Sequence, residues 1–536
     1  MAKHILQLAN DKVLDYFMQT AHYCSFELPE YVNFDEVLQF VQKQIGDEAY
    51  EVCLDEDNAE NLENVNLDIL MNKDGKYAVR PLSLVNPYLY FFLVREICSK
   101  SNWASIKDCF AHFRIPYIDA CALPVVADKN EAFPKSTTIL NWWNCVEQSS
   151  IALSLEYKYM FVTDITNCYG SINLQTLDWA LARKGTQYAT TSNHELANQM
   201  ITYLTAFQKG SCIGIPQGSA LFDFVAEIIL SYSDLLFHEA LDKAGVTADF
   251  EVIRYRDDYR IFCNDKVQLE KISYILQQVL ESLNFRMNSQ KTQISNSVVT
   301  DSIKNDKLFY LYNTPIFNKK GVDFDGFQKH LLFILMFGRD YPNGGQLKVM
   351  LSDLDKRLQE KLESTILSEY EVIGVIGNNG IERVETPYKV EIPYKLRENI
   401  RAMAAVATQI AYENIGATNY VLRIISRMVD TLEDRDEAWD IQLKVCAKLQ
   451  ELPNSSYNEL WLQNMTYHRD VKLKRAPYEM LLCRLIMGED IALWNNSWLK
   501  SELVSELPYE TICNRELQKN VGNVVTFHER SSYYGV

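Results

Sequence analysis

What this chain lacks narrows it first. Its 12 cysteines are scattered singly, with no Cys-x-x-Cys pair. That argues against a zinc site and reads as buried apolar filler in a reducing compartment. No hydrophobic run is long. The stretches 88–94 and 331–337 fall well short of the ~20 apolar residues that span a bilayer. The start after Met1 is polar, so no signal peptide is expected. Basic charge is in deficit: 53 Lys and Arg face 71 Asp and Glu, for a net charge of −18. Such a chain does not coat nucleic acid through bulk charge, although a channel lined by local Lys and Arg can sit inside an acidic shell. No fixed sequence period recurs. What is abundant is apolar and aromatic: 47% hydrophobic residues, with 31 Tyr and 24 Phe. The chain has the core-forming material for roughly two to four folded domains.

Read in order, Lys12–Tyr23 and Glu36–Gln44 pattern as helices, capped by Asn10 or Asp11 and by Asn33 or Asp35. The run 25–34 between them reads as a packed linker. Residues 51–76 are acidic and Asn-rich, as in a surface loop or variable hairpin. Tyr77–Arg80 read as a strand that Pro81 ends or edges, and Asn86-Pro87 opens a helix over Tyr88–Lys100. Ser136 to Thr138 start a further helix, with Trp142 and Trp143 in its core face. Arg80, a lone charge at a strand end, suits either a surface salt bridge or an anion clamp.

Four pieces carry chemistry. The apolar strand Lys158–Thr163 ends in Asp164, where burial of a lone carboxylate costs several kcal/mol; metal ligands and catalytic acids sit in such places. After a helix over Asn193–Gln208, Pro216-Gln217-Gly218 forms a turn that feeds a second helix, Phe222–Ala244. Tyr255-Arg256-Asp257-Asp258 lies inside an apolar run that reads as strand, tight turn and returning strand. Adjacent carboxylates there repel unless a cation lies between them. Beyond a helix over Gln268–Leu283, Lys291 precedes a short strand.

This order resembles the palm of a reverse transcriptase, with Asp164, Pro216-Gln217-Gly218, Tyr255-Arg256-Asp257-Asp258 and Lys291 in the places of its four motifs. Further stretches resemble the bacterial abortive-infection and defence-associated reverse transcriptases: 28–34, Arg80-Pro81-Leu82 with Asn86-Pro87, 255–262 and 340–345. The resemblance implies two Mg²⁺ ions, with Mn²⁺ as the alternative, held roughly 3.5–4 Å apart by Asp164, Ile165, Asp257 and Asp258. It implies a triphosphate grip by Arg80, a nucleotide pocket at Gln217 and Gly218, and proton donation by Lys291. Tyr169, five positions after Asp164, stands where an aromatic ring crowds a ribose 2′-OH, which predicts dNTP use. Single-stranded DNA is the implied product, made in a bacterial cytoplasm by a homo-oligomer, often with no template and from a protein hydroxyl. Tyr533 and Tyr534 are candidates for that hydroxyl. The alternatives are a polymerase copying a dedicated non-coding RNA and an inactive scaffold sensing a phage component. Arg256 and Phe222 depart from the small residues common at those places.

The expected fold is α+β: N-terminal helices and fingers over 1–155, then a palm over 156–310 with an antiparallel sheet. A thumb-like helical connection and linker follows over 311–395, with Val372–Lys395 read as loop from its Gly and Pro. An all-α, repeat-like domain covers 396–536, with helices at Leu396–Ile415, Asn419–Leu432, Glu437–Leu452, Tyr457–Asn464 and Pro477–Met487. The basic run His468–Arg475 reads as a single-strand exit path or a solvated helix face.

Overall fold

Apolar and aromatic residues over Phe250–Tyr255 and Asp258–Cys263 make two strands that pair antiparallel, closed by Tyr255 opposite Asp258. They form the middle of the larger sheet in a computed structural model of the chain. The structure describes residues 4–55, 58–72, 79–126, 142–313, 324–367, 370–377, 380–387, 394–473, 478–504, 507–519 and 521–527. In chain order the strands are β1 (Leu67–Asn72), β2 (Val79–Leu84), β3 (Ile118–Ala120), β4 (Tyr159–Asp164), β5 (Phe250–Tyr255), β6 (Asp258–Cys263), β7 (Gln293–Ser295), β8 (Tyr370–Gly377) and β9 (Gly380–Pro387). Among the described residues these form three sheets: β1-β2, β3-β5-β6-β4-β7 and β8-β9.

Two compact units partition the chain. The first holds 1–69, 81–304 and 490–515; the second holds 70–80, 305–489 and 516–536. In the first, the five-stranded sheet is antiparallel except at one edge, where β3 runs parallel to β5. The expected antiparallel sheet is therefore mixed. β3 reaches that edge from the helix Lys100–Phe113, and no hairpin joins it to β5. The helix Ala220–Lys243 is buried along most of its length, from Leu221 to Leu235. That is why it reads as a continuous apolar run and not as a stripe. The helix Pro87–Cys98 is likewise buried from Pro87 through Val94, and the Asn86 side chain accepts from the Tyr88 and Leu89 amides.

Residues 490–515 complete this unit from far along the chain. Trp494 donates its indole N–H to the Leu84 carbonyl (3.1 Å), and the Asn86 amide donates to Asn496 Oδ1 (2.6 Å). Trp498 is fully buried and meets Tyr50 at 6.0 Å between ring centroids.

In the second unit the helices Phe324–Asp340, Gly345–Leu367, Tyr394–Glu413, Thr418–Asp430, Arg435–Gln450 and Ser456–Leu473 follow one another. The run 340–345 is a joint. Asn343, at φ +54°, takes its amide to Asn414 Oδ1 (2.8 Å) and receives the Gly416 amide on its own Oδ1 (2.9 Å). A Cβ on Gly344 would lie 2.7 Å from Asp306 Oδ2.

Several expectations change. The loop expected at 372–395 holds an antiparallel hairpin, β8-β9, in register from Tyr370 opposite Pro387 to Gly377 opposite Gly380. Val372, Ile373, Val375 and Ile376 favour the extended backbone more strongly than the flanking glycines oppose it. Pro81 lies within β2, in a two-stranded sheet where a missing amide need not break a ladder. The first helix breaks into Asn10–Phe17 and Thr20–Tyr23, and neither Asn10 nor Asp11 caps it. Asn10 instead reaches the Cys98 carbonyl (3.1 Å), and Asp35 accepts the Thr20 amide (2.6 Å). The helix expected from Pro477 starts at Leu481. The helix start at 136–138, the side chain of Trp143, those of 469–475, and Tyr533 and Tyr534 lie outside the described residues. Among the described residues no helix is long and apolar enough to cross a membrane.

Candidate active site

The hairpin apex is two residues, Arg256 and Asp257, and Arg256 takes φ +56°. Positive φ at the first turn position matches the strand twist, but it is a conformation that side chains other than Gly and Asn resist. Three contacts hold it. Arg254 Nη1 donates to the Arg256 carbonyl (3.4 Å), Arg256 Nη2 donates to Asp223 Oδ2 (2.6 Å), and the Ile165 amide donates to the Asp257 carbonyl (3.0 Å). Arg254 itself is fully buried. Its guanidinium donates to both oxygens of Asp234 (3.1 and 2.8 Å), to both oxygens of Glu227 (3.0 and 2.7 Å) and to Ser231 Oγ (3.2 Å).

β4 places Asp164 directly across from Asp258 in the ladder, next to the apex that carries Asp257. Asp164 is buried. Its Oδ2 accepts from Lys291 Nζ (2.6 Å), while Oδ1 is buried without a hydrogen bond. Asp258 reaches solvent yet lies low among protein atoms. Its carboxyl is pushed up to about 6, first by desolvation, then by the charge of Asp257; Lys304 opposes, Asp164 adds, and Lys291 opposes. Lys291 is held above the usual lysine range, chiefly by its hydrogen bond to Asp164. Among the described residues no group of three or more His, Cys, Asp or Glu side chains is arranged to hold a metal ion. The donor chemistry nevertheless suits one: the charges of Asp257 and Asp164 raise the proton affinity of Asp258, and Asp164 Oδ1 is buried without a hydrogen bond. Ile165 is apolar and buried, so only its carbonyl is available to a cation.

Tyr169 sits on the short helix Cys168–Ser171, entered through Asn167 at φ +49°. Its hydroxyl donates to Asp223 Oδ1 (2.6 Å), and its carbonyl accepts from the Ile215 amide (3.0 Å). Burial, then the Asp223 charge, raises the hydroxyl well above the usual tyrosine range. Gly218 takes φ +116°, and a Cβ there would lie 3.1 Å from the Phe26 ring. Its carbonyl accepts the Ser25 amide (2.7 Å), the Gln217 carbonyl accepts the Ser83 amide (2.9 Å), and Ser219 caps the following helix. Ser25 and Phe26, at the start of the run 25–34, thus lie against the Pro-Gln-Gly turn. Phe222 is fully buried against Phe207, so its bulk fills the core.

The first unit therefore brings together Asp164, Ile165, Asp257, Asp258 and Lys291, with Tyr169 on the short helix that follows β4 and Gln217 and Gly218 on the turn bonded to it through Ile215. Arg80 is exposed on β2 and belongs to the second unit. Sequence reasoning missed Asp223, Glu227, Asp234 and Arg254. Two signals pointed to them: acids at 223, 227 and 234 inside the apolar stretch 221–235 of a helix, and a charged Arg254 inside an otherwise apolar strand end.

No curated protein matches the sequence. Among solved structures, a telomerase from Candida albicans in complex with a fragment of telomeric RNA aligns at 12% identity and TM-score 0.28, over 79% of this chain and 67% of that one. An apo telomerase from Candida tropicalis aligns at 13% identity and TM-score 0.30, over 79% and 73%. Likenesses this remote carry no argument about substrate or partner. Residues 117–328, which span β3 to β7 and every carboxylate of the site, match the family model described as reverse transcriptase (RNA-dependent DNA polymerase), and this stretch of the chain is a reverse transcriptase domain.

Proposed function

We propose that the chain is a DNA polymerase of reverse transcriptase type, adding deoxynucleotides by nucleotidyl transfer at Asp164, Asp257 and Asp258. The observation that carries this is the cross-strand placement of Asp164 against Asp258 at the apex holding Asp257, inside the matched domain. A pair of divalent cations, when bound by these carboxylates, would supply charge neutralisation for the attacking hydroxyl and the departing pyrophosphate. Lys291, protonated and bonded to Asp164 Oδ2, would hand a proton to the pyrophosphate oxygen. In this reading Tyr169 would crowd a ribose 2′-OH and favour dNTPs. Arg80 fits a triphosphate grip by its charge and exposure.

The finer reading is bacterial antiviral defence, with synthesis starting from a hydroxyl of the protein, without a template, in a homo-oligomer. Its support is the resemblance of 28–34, 255–262 and 340–345 to the abortive-infection enzymes, together with the bulk of Arg256 beside Asp257. The family model's RNA-dependent description supports the second reading, copying of a non-coding RNA.

Purified protein with Mg²⁺ and labelled dNTPs separates these. Label that stays on denatured protein in the absence of nucleic acid supports protein priming. Synthesis only upon addition of RNA supports the second reading. No incorporation under either condition favours a catalytically silent scaffold.

A further inference from the structure

A ring that screens sugars works only if it cannot swing away. Tyr169 lies on a four-residue helix, and a tyrosine side chain there has no rigid element of its own to hold it. Its hydroxyl ends on Asp223 Oδ1, and the other oxygen of that carboxylate ends on Arg256 Nη2, both at 2.6 Å. Asp223 stands on the rigid helix Ala220–Lys243 between the buried Phe222 and Phe224, with its side chain 15% exposed. Arg256 stands on the hairpin apex beside Asp257, in a backbone conformation that arginine seldom adopts. Its carbonyl is gripped by the buried Arg254. One carboxylate therefore ties the screening ring to the turn that carries a reacting-site aspartate. The ring's position and the aspartate's position are set together.

From this geometry we propose that Asp223 and Arg256 are positioning residues that determine sugar specificity: a latch that holds Tyr169 across the sugar pocket. The proposal rests on the polymerase reading above. Hydrogen bonds to an ionised carboxylate are stronger than neutral ones because of its charge, and the Asp223 side chain, 15% exposed, has little water to take their place. Freeing the ring admits a 2′-OH, and the loss appears as a falling ratio of kcat/KM for dATP over ATP.

The full chain with Mg²⁺ is assayed with both nucleotides, alongside thermal unfolding of each variant. Wild type is expected to prefer dATP. Tyr169→Phe, Asp223→Asn and Arg256→Ala should each lower the preference on the order of ten-fold, and Arg256→Lys should keep part of it. Tyr169→Phe combined with Asp223→Asn should be no worse than either alone, since both break one bond. If Tyr169→Ala loses the preference while Tyr169→Phe, Asp223→Asn and Arg256→Ala retain it, the ring screens without a latch and the proposal falls. Lower unfolding temperatures and rates at an unchanged ratio also overturn it, leaving only a structural role. A wild-type chain inert toward both nucleotides removes the polymerase reading, and the latch with it.

Discussion

Asp258 shows what a functional carboxylate does to its own fold. Its carboxyl sits at about 6, above the usual carboxylate value, so the folded state binds a proton more tightly than the unfolded chain does. Stability is therefore present at low pH and is lost as pH rises from about 4 to about 6. Asp258→Asn should raise stability at pH 7 by about 1 kcal/mol, a figure reduced for solvent screening. In urea unfolding the gain should vanish below pH 4, while nucleotide incorporation falls steeply. A second unit residue has the opposite sign. His330 is buried and its imidazole is lowered to about 4 by burial, then by Arg357. Here the unfolded chain takes the proton first, so stability is lost as pH falls from about 6.5 to about 4. The loss should approach about 3 kcal/mol, and His330→Leu should flatten that limb of a stability–pH curve.

At the level of elements, the Pro-Gln-Gly turn depends on the run beneath it. Gly218→Ala puts a Cβ at 3.1 Å from Phe26 and forces alanine to φ +116°. A cost of about 1–3 kcal/mol in denaturant unfolding is expected, and adding Phe26→Leu should recover only the steric part. The hairpin depends on its buried cation. Arg254→Met strands Glu227 and Asp234 in the core and should cost about 3–5 kcal/mol. The hairpin, Asp164 at its strand end and the turn feeding a helix were legible because each is written in a short run. Alternation, a terminal charge and a Gly-Pro cluster need no knowledge of partners. The Asp223 to Arg256 bond and the Arg254 cluster were not, because which acid meets which base is settled only when the helix lies on the sheet. The hairpin β8-β9 was hidden for another reason: Gly374, Gly377 and Gly380 interrupt its β-branched residues and give the stretch the punctuation of a loop.

For the whole molecule, the least legible fact was the return of 490–515 to the first unit, since no local pattern marks a segment for a partner some four hundred positions away. Trp498 is its anchor. Trp498→Ala should cost about 3–5 kcal/mol and should broaden or split the unfolding transition of the first unit, read by calorimetry. The second unit's main stretch, 305–489, is laid down between two parts of the first. On the ribosome that sequence imposes an order. The inserted helices leave the exit tunnel and can pack while the first unit still waits for residues 490–515. Pairing across so long an interval is slow to close. A cell making this chain therefore holds the first unit unfinished until residues 490–515 have emerged, and a ribosome that stops after residue 489 releases a chain whose carboxylates are encoded but whose supporting core is incomplete.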